Sequence, residues 1–417
     1  MFQGDSDVNT VPTVGRGPAP RASATELRRI TLRRIEVPLK KEITHASHSR
    51  DRSENLVVEV ELATGHIGYG EGVPRSYVTG ETVETAFVAL SRPDWARLLG
   101  KPHDFADVVQ SLQRLQLAEI EEDPRGMFGN AARCGLELAL LDAYGRCFGE
   151  SAGRAIELIE LPGLDRFSTP RPVRYGAAIT AESLPNEIRS AIRFRLYGFR
   201  DVKAKVGVEH QDDARRLRWI RGILGKGIDL RLDANEAWGA ADLLEKVEPL
   251  RRFSPSCLEQ PIPHAQVDAL AELRPRLRIP VMLDESLCGY PDAVAAIERG
   301  TADLLNVRVS KCGGIFPSLR IIALAARSGL GVQLGCHPGE TAILSAAGRM
   351  LASRVRGLRY VEGSYDRHIL RRNLSREDLT FGYGGRAQPL PGPGLGATVD
   401  PSALEAMTTE KRELAYD

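Results

Sequence analysis

The sequence predicts an α/β protein whose larger part is a barrel of parallel strands and helices. Three observations predict this fold class. Apolar runs alternate with helical segments from residue 173 onward, three of these runs end in the acidic residues Asp233, Glu259 and Asp284, and these acids lie 26 and 25 residues apart. A βα repeat of that length closes into a barrel and delivers one side chain per strand to the same end of the fold.

Eight segments have the apolar, β-branched character of barrel strands, and helical segments such as DDARRLRWIRGILG and PSLRIIALAARSG lie between them. This order favours a βα barrel over a doubly wound sheet. The eight strand candidates are VRYGAAIT, DVKAKVG, DLRLDAN, CLEQPI, PVMLDES, DLLNVRVSKCGG, GVQLGCHPGE and LRYVEGS.

The chain before the barrel predicts a smaller α+β region. Residues 30–40 and 55–72 are typical of antiparallel strands, and residues 82–160 of helices. The polar stretch between the two strands is long for a hairpin loop, and loops of that length are usually functional or mobile. Beyond about residue 370 the chain is rich in Gly and Pro, and we expect it to pack back against the N-terminal region.

The composition excludes several classes of protein. The 417 residues carry a net charge of +1 and are 42% hydrophobic, so neither a nucleic acid nor a membrane surface is an expected partner. No apolar run approaches the roughly 18 residues that span a bilayer. The six cysteines show no disulfide or metal-knuckle spacing, which favours a reducing, cytoplasmic setting. Residues 1–27 are typical of a disordered tail.

The three strand-end acids predict a metal site. Carboxylates that converge at one end of a barrel cannot all stay ionised unless a cation lies between them. Hard oxygen ligands suit Mg²⁺ best, with Mn²⁺ close behind. The alternative is that Asp233, Glu259 and Asp284 are unrelated surface acids at strand ends.

Lys203 and Lys205 lie on one predicted strand with a single residue between them, so both side chains point to the same face. If that face is the barrel interior, two ammonium groups sit side by side near the cation. Like charges disfavour protonation, so we expect the lysine nearer the metal to have a lowered pKa and to be a usable base. The alternative is a solvated pair on an exposed strand.

The ordered motifs VKAKVG, RLDANEAW, CLEQPIP, VMLDES and SKCGG resemble the enolase superfamily. Within it the chain is most similar to the muconate-lactonizing enzyme subgroup and more distantly to mandelate racemase. The resemblance spans about residues 30–405 and implies a modified (β/α)7β TIM-type barrel with an N-terminal α+β capping domain. The implied boundaries are 28–165 for the capping domain, 166–372 for the barrel and 373–417 for a C-terminal segment that packs back on the cap.

The resemblance also implies roles for the residues of the barrel mouth. Mg²⁺ would be held by Asp233, Glu259 and Asp284 and would bind a substrate carboxylate, whose α-proton a base removes to give an enolate. Lys205 matches the family's base or acid on one face, and Lys203 matches the partner that tunes it. Asn235 and Glu285, next to the ligands, resemble residues that orient them. Asn235 is alternatively a plain turn residue.

The sixth barrel strand departs from the closest subgroup. Members usually place a second catalytic lysine there, and counting along DLLNVRVSKCGG puts Arg308 at that position. Arginine is effectively always protonated, so it can stabilise an enolate but cannot serve as an ordinary base. Lys311 has the wrong strand parity for the same face unless a bulge intervenes.

The seventh strand offers a different group. His337, at the end of GVQLGCH, resembles the histidine that mandelate racemase-like members use as a base, supported by an aspartate at the position of Arg308. We expect Arg308 to lower the pKa of His337 and to keep the imidazole neutral. The alternatives are a hydrogen-bonding substrate contact and a plain loop residue. Glu362, in LRYVEGS, resembles the acid that donates to the enolate in the same branch.

In the family, the loops of the capping domain determine substrate specificity. These correspond to residues 42–54, with His45, His48 and Arg50, and residues 73–82, with Arg75 and Tyr77. Histidine and arginine there predict recognition of a polar or anionic distal group, whereas the alternative is ordinary surface charge.

These predictions describe an enzyme that forms an enolate from a small-molecule carboxylate. A single lysine base facing an arginine favours cycloisomerisation of the muconate-lactonizing type or another lyase reaction. The alternatives are a two-base racemase or epimerase that uses Lys205 with His337 or Lys311, and a non-catalytic relative that binds metal and ligand. A homo-oligomer, either a dimer or an octamer, is expected from the resemblance.

Overall fold

The computed structural model of the protein describes residues 25–44, 49–117, 129–180 and 183–416. Of the predicted disordered tail, residues 1–24 lie outside these ranges. Thr25 is buried, and its hydroxyl donates to the carbonyl of Pro102 at 2.8 Å. The predicted tail boundary at residue 27 is therefore too late in the chain.

The N-terminal region contains a four-stranded antiparallel sheet in the order β14–β1–β2–β3. Its strands are β1 (Leu27–Thr44), β2 (Ser49–Leu62), β3 (Ile67–Gly72) and β14 (Thr408–Ala415). Residues 30–40 and 55–72 are in strands as predicted, and β14 brings the C-terminal segment back to this sheet. The predicted loop 42–54 is wrong for most of its length, because Ile43 pairs with Arg50 and Thr44 with Ser49 beyond a register shift.

Helices follow β3, in agreement with the predicted helical stretch. They are α1 (Val83–Ser91), α2 (Trp95–Leu99), α3 (Phe105–Gln113), α4 (Asn130–Phe148) and α5 (Arg154–Leu158). Gly68, Gly70 and Gly72 of β3 form a stripe on the face that packs against α4. A Cβ atom at Gly70 would lie 1.9 Å from the carbonyl oxygen of Gly135, so only glycine permits this approach.

The second region is an eight-stranded parallel sheet whose strands follow one another in chain order, and all eight predicted strands are present. They are β5 (Ala177–Ile179), β6 (Asp201–Lys205), β7 (Asp229–Asp233), β8 (Cys257–Glu259), β9 (Val281–Leu283), β10 (Leu304–Arg308), β11 (Gly331–Gly335) and β12 (Leu358–Val361). The amide of Gly176, just before β5, donates to the carbonyl of Val361 on β12 at 2.9 Å. This bond joins the two edges of the curled sheet, which is the TIM-type barrel that the sequence predicts.

Helices separate the barrel strands and continue beyond them. They are α6 (Leu184–Leu196), α7 (Asp213–Leu224), α8 (Leu243–Val247), α9 (Leu270–Leu277), α10 (Tyr290–Arg299), α11 (Ile315–Arg327), α12 (Ala342–Arg354), α13 (Asp366–Ile369) and α14 (Pro401–Met407). Short 3₁₀ segments occupy Glu248–Phe253, His264–Ala269 and Tyr383–Gly385. The two-residue strands β4 (Val173–Arg174) and β13 (Arg386–Ala387) pair with each other. Within the described ranges, no helix is both long and apolar enough to cross a lipid bilayer.

Two buried carboxylates of the capping region hold the barrel by the N-termini of its helices. Glu71 of β3 accepts hydrogen bonds from the amide of Thr341 at 3.0 Å and from its hydroxyl at 2.7 Å, at the start of α12. Glu137 of α4 accepts from the amides of Ile315 and Phe316, at the start of α11. Because helix N-termini attract negative charge, these contacts fix the cap over the mouth of the barrel.

Candidate active site

The three predicted metal-binding acids lie at the C-terminal ends of three successive strands. Asp233 and Glu259 end β7 and β8 and are paired in register, and Asp284 directly follows β9. All three side chains are buried. The parallel sheet thus places the three carboxylates at one end of the barrel, as the 26- and 25-residue spacings predict.

A lysine and an asparagine side chain contact two of these acids. The Nζ atom of Lys203 lies 3.3 Å from a carboxylate oxygen of Asp233 and 3.3 Å from one of Glu259. Asn306 of β10 also donates to Glu259, at 2.8 Å. Burial first of all, with the nearby carboxylates Asp233 and Asp284, raises the pKa of Glu259 to about 8 against the opposing effect of Lys203.

Asp284 is held by two further cations. Its oxygens contact the guanidinium of Arg308 and the Nζ atom of Lys311, the latter at 2.6 Å. The pKa of the Asp284 carboxyl is lowered although burial opposes this, because Arg308 and Lys311 stabilise its charged form. Lys311 also donates to the main-chain carbonyls of Asp284 and Asn306, at 2.6 and 3.1 Å. Its ammonium group is therefore a buried structural contact, which argues against the predicted alternative that it acts as a base.

The donor set suits a hard divalent cation in its chemistry. It consists of carboxylate oxygens from three adjacent strand ends, with little competing nitrogen or sulfur. Among the described residues, however, no three or more His, Cys, Asp or Glu side chains are arranged so that they could hold an ion as they stand. Lys203 and Arg308 lie against the carboxylates instead, so metal binding requires these side chains to move.

The two lysines of β6 differ in burial: Lys203 is buried and Lys205 is partly exposed. Lys203 contacts three carboxylates, including Glu362 at 3.1 Å, and its side chain is 8% exposed. Burial lowers the pKa of Lys203, but Glu259, Glu362 and Asp233 together raise it well above its ordinary value. This is opposite to the direction expected from a pair of like charges. The side chain of Lys205 is 28% exposed, and its Nζ atom lies 4.0 Å from Asp233.

Asn235 joins Lys205 to the predicted second orienting residue. It accepts a hydrogen bond from the Nζ atom of Lys205 and donates to Glu285 at 3.2 Å. Its φ of 43° places it in the left-handed region, which asparagine tolerates. Asn235 is therefore both the turn residue and the side-chain contact that the sequence left as alternatives.

Glu362 does not suit the predicted role of a hydrogen-bond donor. One of its oxygens contacts Lys203, and the other accepts from Arg231 of β7 at 2.9 Å. Despite burial, Lys203 and Arg231 lower the pKa of Glu362 to about 2, which favours the ionised acceptor over a hydrogen-bond donor. Arg231 is fully buried and also contacts Asp201 at 2.9 Å and Gln333. This charged network fills the barrel beneath the acids.

His337 follows β11, beside the strand that ends in Arg308. It is 5% exposed. Burial, followed by the positive charges of Arg308 and Arg75, holds the pKa of His337 well below its ordinary value. This direction agrees with the expected neutral imidazole, and the role of His337 stays a prediction. Glu340, which the sequence analysis missed, accepts a hydrogen bond from the main-chain amide of His337 at 2.6 Å.

The predicted specificity residues of the cap have different outcomes. His45 and His48 lie outside the described residues, as does the side chain of Arg50. The guanidinium of Arg75 is anchored within the cap, to the Ser53 hydroxyl at 2.6 Å and the carbonyls of Glu54 and Pro74 at 3.0 and 2.8 Å. Tyr77 packs with Val78 against Cys288, in the loop after β9. Their roles in substrate binding stay predictions.

Comparison with known proteins identifies the family of this chain. Residues 187–403 match the family described as "Enolase C-terminal domain-like". The chain is 30% identical to the L-Lys-D/L-Arg epimerase of Methylococcus capsulatus, over 88% of this chain and 97% of that protein. It is 29% identical to muconate cycloisomerase 1 of Rhodococcus opacus, over 90% of this chain and 96% of that protein.

A solved structure shows the same fold. The dipeptide epimerase of Cytophaga hutchinsonii, complexed with Mg and the dipeptide D-Ala-L-Val, superposes with a TM-score of 0.76 at 24% identity, over 93% of this chain and 99% of that one. The cap and the barrel together make up the fold that this chain shares with that structure. The chain belongs to the enolase superfamily, among members that include epimerases and muconate cycloisomerase.

Proposed function

We propose that the protein is an epimerase or racemase that removes the proton α to the carboxylate of an amino-acid derivative and returns it on the opposite face. The observation that carries this proposal is the pair of groups that flank the acids. Lys205 lies on the strand before the first acidic strand, and His337 lies two strands after the last one. The epimerase relative and the dipeptide-bound neighbour support the substrate class.

Lys205 is the lysine suited to take the α-proton. The Nζ atom of Lys203 is enclosed by the carboxylates of Asp233, Glu259 and Glu362, so it acts as a positive charge and not as a base. Lys205 keeps partial exposure and a polar neighbour, Asn235, that holds its Nζ atom in place. A positioned base of this kind contributes roughly 10²- to 10⁴-fold to the rate.

His337 is the group suited to the second face. Arg308 and Lys311 are both engaged by Asp284, and arginine cannot exchange a proton near neutral pH. A neutral imidazole can accept a proton at Nε2, and the imidazolium so formed can give it back. We therefore place Lys205 Nζ and His337 Nε2 on opposite faces of the substrate Cα, with Arg308 as a permanently charged cation that offsets the negative charge of the intermediate.

Asp233, Glu259 and Asp284 would hold the divalent cation, with Mg²⁺ favoured over Mn²⁺. The presence of Mg in the solved dipeptide epimerase supports this choice. When bound, the ion would supply positive charge that offsets the charge developing on the substrate carboxylate, a contribution of several kcal/mol. Asn235 and Glu285 would orient this group of side chains through their mutual hydrogen bond.

Exchange in D₂O tests the proposal. Dipeptides and N-acyl amino acids of both configurations are incubated with the protein and Mg²⁺, and deuterium at Cα is followed by NMR together with the configuration. We expect deuterium to appear with inversion, starting from either isomer. Metal binding without exchange across the panel would contradict the proposal and favour the non-catalytic alternative.

A one-base cycloisomerase is the second candidate, and the presence of Arg308 in place of a titratable residue favours it. In such a reaction Lys205 alone moves the proton and Arg308 stabilises charge. The muconate cycloisomerase relative supports this alternative. Turnover of a muconate-like diacid, with no inversion of any amino-acid derivative, would establish it over the epimerase. The predicted homo-oligomer stays a prediction.

A further inference from the structure

The turn after β11 carries a carboxylate directly behind His337. The carboxylate oxygen Oε1 of Glu340 lies 3.4 Å from His337 Nδ1 and also accepts the main-chain amide of His337 at 2.6 Å. Among the described residues, Nδ1 has no hydrogen-bond partner although the ring is buried. The two atoms are close enough that a small reorientation of the ring or of the carboxylate would align Nδ1–H with Oε1.

A histidine that moves protons needs one ring nitrogen held by an acceptor so that the other faces the substrate in a defined state. Arg308 occupies the strand-six position beside His337 and has no acceptor atom. Building on the epimerase proposed above, we propose that Glu340 is the positioning residue of His337. Its Oε1 atom accepts the Nδ1–H group, and Nε2 is then the atom that takes and returns the substrate proton.

The protonation state of Glu340 does not alter this assignment. Burial, with Glu71 nearby, raises the pKa of Glu340 to about 8 against the effect of the His337 amide. Because Oε1 already accepts the main-chain amide, a proton on this carboxyl group belongs on Oε2. Oε1 remains an acceptor in both the acid and the carboxylate form.

The capping region holds the turn on both sides of Glu340. Asn55 of β2 donates to the carbonyl of Gly339 at 2.9 Å and to Glu71 at 2.7 Å, and Glu71 accepts the amide and hydroxyl of Thr341. A Cβ atom at Gly339 would lie 2.4 Å from Ser53, so the turn abuts β2. These buried contacts restrict the motion that would separate Oε1 from the ring.

The space behind the ring is also restricted. A cavity of about 10 Å³ borders His337, Glu340, Ser345 and Asp366, which is room for at most one water molecule. No substrate group fits in this cavity, and the contact with Glu340 places Nδ1 on the side of the turn.

Two variants with side chains of similar length distinguish the effect of the acceptor oxygen from the effect of side-chain shape. Glu340→Gln keeps an oxygen at Oε1, whereas Glu340→Met removes it. The tautomer of His337 is read from ¹⁵N shifts of the imidazole nitrogens, assigned by comparison with His337→Asn. We expect the Nδ1–H form in the wild type and in Glu340→Gln, and a shift towards the Nε2–H form in Glu340→Met.

Isomer-resolved exchange in D₂O gives the second measurement. Exchange that depends on His337 should fall about tenfold or more in Glu340→Met and stay within about threefold in Glu340→Gln, while exchange at the Lys205 face changes little. Asp366→Asn is the control, because Asp366 borders the same cavity but bonds to Ser345 and Asn373. An Nε2–H tautomer in the wild type, or an unchanged tautomer in Glu340→Met, would overturn the proposal. Because the tautomer is measured without turnover, failure of the epimerase proposal is a separate result.

Discussion

The two sides of the cluster formed by Asp233, Glu259 and Asp284 are built differently. On the β6 side, Lys205 is partly exposed and touches the polar side chain of Asn235. On the β10–β11 side, Arg308 is tied to Asp284, and the only group there that we assign to proton transfer is the buried His337. The difference teaches that the two faces of a substrate would meet bases of different chemistry: an amine on one face and a neutral imidazole on the other.

Loss of the β6 base should have the largest effect. For the isomer whose α-proton faces Lys205, Lys205→Ala should lower exchange by about a thousandfold, or roughly 4 kcal/mol of transition-state stabilisation, because no other described group is placed to accept the proton on that face. Initial rates of deuterium incorporation give the measurement. Lys226→Ala is the matched control, since Lys226 is exposed and precedes β7 at the opposite end of the barrel, and its rate should stay within about twofold. Equal rates for wild type and Lys205→Ala would contradict the assignment.

Removal of the Arg308 guanidinium beside Asp284 should lower the stability of the protein. Arg308→Met leaves buried Asp284 with Lys311 as its remaining cation, and should lower the free energy of unfolding by about 3 kcal/mol without metal. Saturating Mg²⁺ should recover part of this loss, because the ion replaces the missing positive charge. Denaturant unfolding with and without Mg²⁺ measures both. A loss that Mg²⁺ leaves unchanged would argue against Asp284 as a ligand.

Proton transfer on the His337 face can be removed while the Lys205 face is kept. His337→Asn should slow inversion by about a hundredfold, because a carboxamide acts as neither an acid nor a base near neutral pH. Exchange of the isomer whose proton faces Lys205 should persist. NMR separates the two processes in one sample. His103→Asn, at an exposed position in the cap, serves as control. Equal loss at both faces would indicate that His337 binds substrate and does not transfer the proton.

The smallest effect concerns the contact that holds the His337 turn. Burial raises the pKa of Glu71 to about 7, against hydrogen bonds from Thr341, Leu344 and Asn55. At Glu71 the folded state therefore binds more protons than the unfolded state between about pH 4.5 and 7, and the contribution of Glu71 to stability declines as the pH rises through that range.

Glu71→Gln removes this titration. Relative to the wild type, its free energy of unfolding should increase between pH 5 and pH 8, so the variant becomes the more stable of the two as the pH rises. The reason is that glutamine never ionises. Urea unfolding at the two pH values checks the sign. A difference between the two proteins that does not vary with pH would show that Glu71 is ionised throughout this range.

The sequence predicts the barrel well because each strand is short, apolar and separated by a helix. The positions of Asp233, Glu259 and Asp284 follow from that repeat alone. The strand residues 41–44 of β1 and 49–54 of β2 could not be predicted, because the charged residues there show no apolar alternation. Both strands are stabilised by backbone pairing, which composition does not reveal.

The site's supporting residues were harder to predict. Arg231, Asn306 and Gln333 are fully buried polar residues within apolar strands, and their partners lie on strands that are distant in the chain. A polar residue at an inward position of a barrel strand is the one signal that could have singled them out. Glu340 lies in a turn, where acids are common, so only the folded structure shows its oxygen behind His337.

Diffraction from crystals grown with Mn²⁺ and a substrate amino-acid derivative tests the account most directly. We predict one anomalous peak among the carboxylates of Asp233, Glu259 and Asp284, with the substrate Cα between Lys205 Nζ and His337 Nε2. A peak elsewhere, or a Cα with both nitrogens on the same face, would contradict it.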